Sequence, residues 1–121
     1  MGVERFLAGF LIAAALMVAP ARTFAADVAA ADEAFDAGDN TTALALYDEI
    51  LAASPNDVHA LLRSGMLLSW DRKYDEALAR YDKALTLEPR NERVLLERGK
   101  VLLWSRRYDQ AIASFDLALE Q

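Results

Sequence analysis

Leu61-Leu62-Arg63-Ser64-Gly65-Met66-Leu67-Leu68-Ser69-Trp70-Asp71-Arg72-Lys73-Tyr74-Asp75-Glu76-Ala77 is a stretch that the chain writes twice. Its second copy, 34 residues on, is Leu95-Leu96-Glu97-Arg98-Gly99-Lys100-Val101-Leu102-Leu103-Trp104-Ser105-Arg106-Arg107-Tyr108-Asp109-Gln110-Ala111. Gly65 answers to Gly99, Trp70 to Trp104, Tyr74 to Tyr108, Asp75 to Asp109 and Ala77 to Ala111. The register continues outward through Pro55 and Pro89, Ala84 and Ala118, and Leu85 and Leu119. A worn third copy precedes them: Gly38-Asp39 marks its turn, and Ala43, Tyr47, Leu51 and Pro55 fall on the same grid. A fixed period of this length is the signature of a repeat architecture, in which each unit is one supersecondary element.

Each unit reads as two helices. In unit two, Leu61, Gly65 and Leu68 recur at i, i+4 and i+7, the stripe of one buried helical face. Asp71-Arg72-Lys73 is polar and aperiodic, a turn. A second helix opens near Asp75-Glu76, carboxylates suited to the positive end of the helix dipole, and offers Ala77, Leu78, Tyr81, Ala84 and Leu85 to a core. Pro89 ends it, having no amide to donate and restricting the residue before it. Glycine in a helix interior costs roughly 1 kcal/mol against alanine, so Gly65 and Gly99 need a packing reason; close approach of two helix backbones is the one expected.

These residues resemble the tetratricopeptide repeat family, whose 34-residue pattern carries a Gly or Ala, an aromatic, an Ala, an aromatic, an Ala and a Pro. Unit two supplies Gly65, Ala77, Tyr81, Ala84 and Pro89. Unit three supplies Gly99, Ala111, Phe115 and Ala118, and unit one Ala31, Ala43, Tyr47 and Pro55, with Ile50 where Ala is usual. Leu61 and Leu95 stand where an aromatic is common, and Ser64 and Arg98 where an apolar residue is usual. The expected fold is all-α, a solenoid of about three helical hairpins: a degenerate repeat over 26–57, a second over 58–91 and an incomplete third over 92–121. No capping helix follows, so Ile112, Phe115 and Leu119 are expected to lack full cover. Either the chain belongs to a longer protein, or that face docks a partner or a second copy; a frayed, tolerated final helix is the plainer alternative.

Ahead of the repeats, Phe6 to Ala19 is fourteen apolar or small residues behind a slightly positive start, and Thr23-Phe24-Ala25 offers small residues at a cleavage site. This pattern predicts a secretory signal over 1–25, being too short for a membrane span of about 18 residues or more. The periplasm is the expected compartment, with no transmembrane helix in the processed chain.

Composition closes other routes. With 13 Lys plus Arg against 19 Asp plus Glu, a net charge of −6 and a pI near 4.7, the chain lacks the basic footprint of a nucleic-acid binder. It has no cysteine and a single histidine, His59, so neither a metal centre nor a nucleophilic triad is expected, and no cofactor. Asp36-Ala37-Gly38-Asp39-Asn40 fails the spacing of a calcium loop, and Asn40-Thr41-Thr42, though a glycosylation sequon, reads better as a helix start. The chain is expected not to be an enzyme.

The resemblance implies a concave groove lined by the first helices, taking a protein or peptide partner. Matching positions are Asp32, Phe35 and Asp36; His59, Leu62, Arg63, Met66 and Trp70; and Arg93, Leu96, Glu97, Lys100 and Trp104. Unit one has eight acids and no base, so the groove is expected to be acidic at one end and more basic in the middle. The family's carboxylate-gripping clamp is not expected, since Val28, Asp32, Arg63, Arg93 and Glu97 occupy its positions and only Arg93 keeps the needed character. Trp70 and Trp104 either form an aromatic ladder in the groove or pack beneath their own turns against Tyr74 and Tyr108; aromatics at helical spacing are more often core. The function expected is a non-catalytic adaptor of the bacterial envelope. The alternative is the N-terminal periplasmic part of an outer-membrane, polysaccharide-export β-barrel protein, a loose likeness resting on the Leu-x-Trp-x-Arg-x-Tyr-Asp segment.

Overall fold

The helical segments of the computed structural model, which describes residues 24–121, begin and end where local chemistry requires. They are α1 (Phe24–Asp36), α2 (Asn40–Ala53), α3 (Val58–Trp70), α4 (Tyr74–Leu87), α5 (Glu92–Trp104) and α6 (Tyr108–Leu119). The expected signal sequence lies outside the described residues, apart from its last two positions. Asp39, Asp57 and Asn91 cap α2, α3 and α5 by accepting from the amides of Thr42, Ala60 and Val94 at 3.3, 2.9 and 3.1 Å. Pro55 and Pro89 follow the ends of α2 and α4.

The three hairpin turns are one structure built from different residues. Gly38, Arg72 and Arg106, each 34 apart, adopt φ of 77°, 60° and 61°. The residue after each closes the turn on a helix carbonyl: Asp39 N to Ala34 O at 3.0 Å, Lys73 N to Leu68 O at 2.9 Å, and Arg107 N to Leu102 O at 2.7 Å. Glycine takes this left-handed conformation freely, whereas the two arginines hold it at a cost imposed by the hairpin.

Consecutive helices pack on one another, and α3 also touches α5, so first helices line one side and second helices the other. The core between the layers forms two clusters of buried residues, with Phe35, Leu44 and Leu51 packed against both. Tyr47 and Tyr81, on α2 and α4, are fully buried. The repeated glycines have a reason other than backbone approach. A Cβ on Gly65 would lie 2.5 Å from Tyr81 Cε1, and one on Gly99 2.5 Å from Phe115 Cε1, so each glycine seats an aromatic ring of its partner helix. Unit one carries Ala31 at that position, buried in one cluster with Tyr47.

The two polar departures from the repeat pattern, Ser64 and Arg98, are each satisfied locally. Ser64 is buried and donates to Leu61 O at 3.2 Å. Arg98 donates from Nε to Asp82 Oδ1 on α4 at 2.7 Å. Among the described residues no helix is long and apolar enough to cross a membrane.

Candidate functional site

Side chains from α1, α3 and α5 converge on the face made by the first helices. At the α1–α3 seam, Tyr47 Oη, reaching through from α2, donates to Asp32 Oδ1, and His59 Nε2 lies 2.7 Å from the same oxygen. Burial pushes the Asp32 carboxyl up, but the hydrogen bonds from Tyr47 and His59 and the nearby charges of His59 and Arg63 outweigh it, leaving the pKa below the ordinary 3.8. Burial, then the hydrogen bond and charge of Asp32, push the Tyr47 phenol up.

Phe35 is the centre of the next layer. The Arg63 guanidinium sits 4.2 Å from its ring centroid while its Nη1 lies 3.6 Å from Asp36 Oδ1. Trp70 leans on the same ring at 5.4 Å, and Tyr47 meets it edge-on at 6.5 Å. Trp70 also walls a cleft of about 220 Å³ with Asn40, Thr41, Leu44, Leu67 and Asp71. On α5, Glu97 is only 5% exposed, and Arg93 Nε and Lys100 Nζ donate to its Oε1 at 3.2 and 3.1 Å.

Two of the expected groove residues turn out otherwise placed. Met66 is buried in the core cluster with Leu61, Leu68 and Tyr81, where its apolar side chain packs, so it does not line an open surface. Glu97 is closed off by its two cations. The anticipated polarity along the groove is likewise quenched locally, because Arg63, Arg93 and Lys100 each sit beside a carboxylate. His59 stays exposed on this face.

The tryptophans do not pack beneath their own turns. Each is 48% exposed, and among the described residues neither makes a ring contact with Tyr74 or Tyr108. Tyr47, which the sequence placed only on the repeat grid, also belongs to this site. A signal for its second role was present: position 32 is an acid where unit two has Met66 and unit three Lys100, so only unit one offers its tyrosine a carboxylate from this position.

The arrangement consists of paired charges and aromatic surface. Among the described residues no group of three metal-ligating side chains assembles.

Comparison with known proteins bears on this geometry. Two family models, both described as tetratricopeptide repeat, match residues 28–68 and 71–121. No curated protein matches by sequence. Among solved structures, MamA of AMB-1 superposes with a TM-score of 0.75 at 20% identity, covering 81% of this chain and 54% of that one. MamA of MSR-1 gives 0.74 at 19%, covering 81% and 56%. The chain thus spans about half the length of these MamA chains. The TPR2B domain of yeast Sti1, solved as a pHsp70 complex, gives 0.74 at 21% identity, covering 78% of this chain and 76% of that one. The repeat register, the six paired helices and the two family matches that together take in residues 28–68 and 71–121 establish that the chain belongs to the tetratricopeptide repeat family.

Proposed function

We propose that the chain is a non-catalytic interaction module that holds an extended segment of a partner protein along the α1–α3–α5 face, and that it works in the periplasm. The observation that carries the binding reading is the pair Trp70 and Trp104, half exposed one repeat apart beside charges that already have partners. A tryptophan buries on the order of 200 Å² when covered, so the exposed half of each is worth roughly 2–3 kcal/mol to an apolar guest. The paired cations give an acidic partner little to gain, which makes the guest apolar rather than acidic.

Spacing narrows it further. α3 and α5 touch, which places their axes about 8–10 Å apart, and an extended chain in the polyproline II conformation advances about 3.1 Å per residue with every third side chain on one face. The two tryptophans therefore suit apolar side chains about three residues apart. Support for a protein partner also comes from the Sti1 TPR2B domain, whose structure is a complex with pHsp70. The periplasmic reading rests on the charge, apolar run and small-residue exit of residues 1–25.

Panning a displayed random-peptide library tests the binding reading. Selected peptides should carry apolar residues about three apart and quench or shift tryptophan emission, and Trp70→Ala and Trp104→Ala should each weaken them about thirtyfold or more. Peptides rich in Asp and Glu, indifferent to both substitutions, would refute it. For the compartment, the full-length chain made in a Gram-negative host should appear in the periplasm shortened at its N terminus; a full-length cytoplasmic product would contradict that part. The alternative, in which the repeats precede an export barrel, uses the same face and is separated by reading the gene beyond the codon for Gln121.

A further inference from the structure

Trp70 and Trp104 are equivalent in the 34-residue register, and each is 48% exposed. Trp70 keeps this exposure with the next hairpin packed in place, so the exposure belongs to the position in the repeat. Phe35 leans on Trp70 at 5.4 Å, and the Arg63 guanidinium covers Phe35 in turn at 4.2 Å, so this indole is held by its neighbours before a guest arrives.

The polar groups of the same face narrow what can lie there. Asp32 accepts from Tyr47 and lies beside His59, Asp36 lies beside Arg63, and Glu97 accepts from Arg93 and Lys100. These carboxylates already have partners, so the backbone amides of a guest find little on the face to donate to. The tryptophans are the opposite case. An indole N–H can only donate, and among the described residues neither Trp70 nor Trp104 makes a hydrogen bond. The face therefore offers two free donors and two flat apolar rings. A flexible apolar segment loses backbone freedom at every residue it orders, and two half-exposed indoles have little apolar area to offset that loss. A segment already stiffened by proline gives up less on binding.

We propose that the guest on this face is a proline-rich segment in the polyproline II conformation, with prolines three residues apart on Trp70 and Trp104 and carbonyls between them accepting from the two indole N–H groups. Proline has no amide to leave unpaired, and its ring lies readily on an aromatic face. The polyproline II helix repeats every three residues, about 9 Å, which matches the separation of about 8–10 Å between the touching helices α3 and α5. The guest is also uncharged, as a face whose charges are paired among themselves requires.

Although this guest rests on the peptide-binding reading above, the two fail separately in one experiment. Decaproline is titrated into the full chain and followed by tryptophan emission, beside a peptide of the same length with leucine at every third position and serine elsewhere. Decaproline should saturate and bind about tenfold tighter than the leucine peptide or better. Trp70→Ala and Trp104→Ala should each weaken it about thirtyfold or more, and Trp70→Phe and Trp104→Phe, which keep a flat ring and lose the N–H, about fivefold. Equal or tighter binding of the leucine peptide would overturn the proline guest and leave the peptide-binding reading standing. So would silence of decaproline toward a chain that binds library-selected peptides through both tryptophans. Decaproline binding indifferent to all four substitutions would place it elsewhere and overturn the proposal too. Silence of decaproline together with a panned library that yields nothing dependent on the tryptophans would end both.

Discussion

Replacing Tyr47 and Tyr81 by phenylalanine removes the same atom from equivalent positions, yet the two changes should move stability in opposite directions. Tyr47 Oη donates to the Asp32 carboxylate. A hydrogen bond to a charged acceptor contributes about 1.5–3 kcal/mol, and Asp32 is partly solvated, so Tyr47→Phe should cost about 1.5 kcal/mol. Tyr81 Oη is buried without a well-formed hydrogen bond, because position 66 offers a methionine where position 32 offers a carboxylate. Burial, then the charge of Glu97, push its phenol up, while the Ser69 hydroxyl and Arg93 relieve part of that. Leaving such a group unpaired costs about 1–3 kcal/mol, so Tyr81→Phe should be neutral or gain about 1 kcal/mol. Unit three already carries Phe115 at this position. For a domain of about 100 residues, 1 kcal/mol moves the melting midpoint by about 4–8 °C. Thermal melts followed by helical circular dichroism should therefore show Tyr47→Phe lower by about 6–12 °C and Tyr81→Phe unchanged or higher. Equal losses in the two variants would refute the reasoning, since they would mean that Tyr81 is as well bonded as Tyr47.

Arg72→Gly and Arg106→Gly relieve a left-handed backbone at two turns and break no ion pair seen among the described residues, so each should stabilise by about 0.5–1 kcal/mol in urea unfolding, roughly additively. Gly99→Val would drive a branched side chain into the Phe115 ring and should cost about 1–3 kcal/mol by the same assay; no loss would show that the ring is free to move aside. Asp32 has a lowered folded-state pKa, so its contribution is complete above the unfolded value near 4 and is lost as pH falls through the folded value; urea midpoints at about pH 5 and about pH 3 should show a smaller acid loss in Tyr47→Phe than in the original chain.

The helical hairpins were legible because 34-residue spacing exposes buried positions directly: Gly65, Tyr81, Ala77 and Ala84 needed no partner to be recognised as core. What each does there was less legible. The grid marks Gly65 as a place of close approach but cannot tell a backbone from a ring, and the ring of Tyr81 is the answer. The face of first helices was legible as a set of positions, whereas its electrostatics was not. Arg63 and Asp36 lie 27 residues apart in sequence and meet only when α1 and α3 are side by side. Met66 failed as a groove residue because a position near a face boundary follows its own chemistry, and an apolar thioether turns inward. Trp70 resisted assignment for a similar reason: its partner, Phe35, belongs to the preceding unit rather than to its own turn.

The central claim is that a guest lies along the first helices. The direct measurement is a map of backbone amide shift changes in isotopically labelled chain as a library-selected peptide is added. The account predicts changes concentrated on α1, α3 and α5, strongest around Phe35, Trp70 and Trp104, with α2 and α4 nearly silent. Changes centred on α2 and α4, with those three residues unmoved, would contradict it.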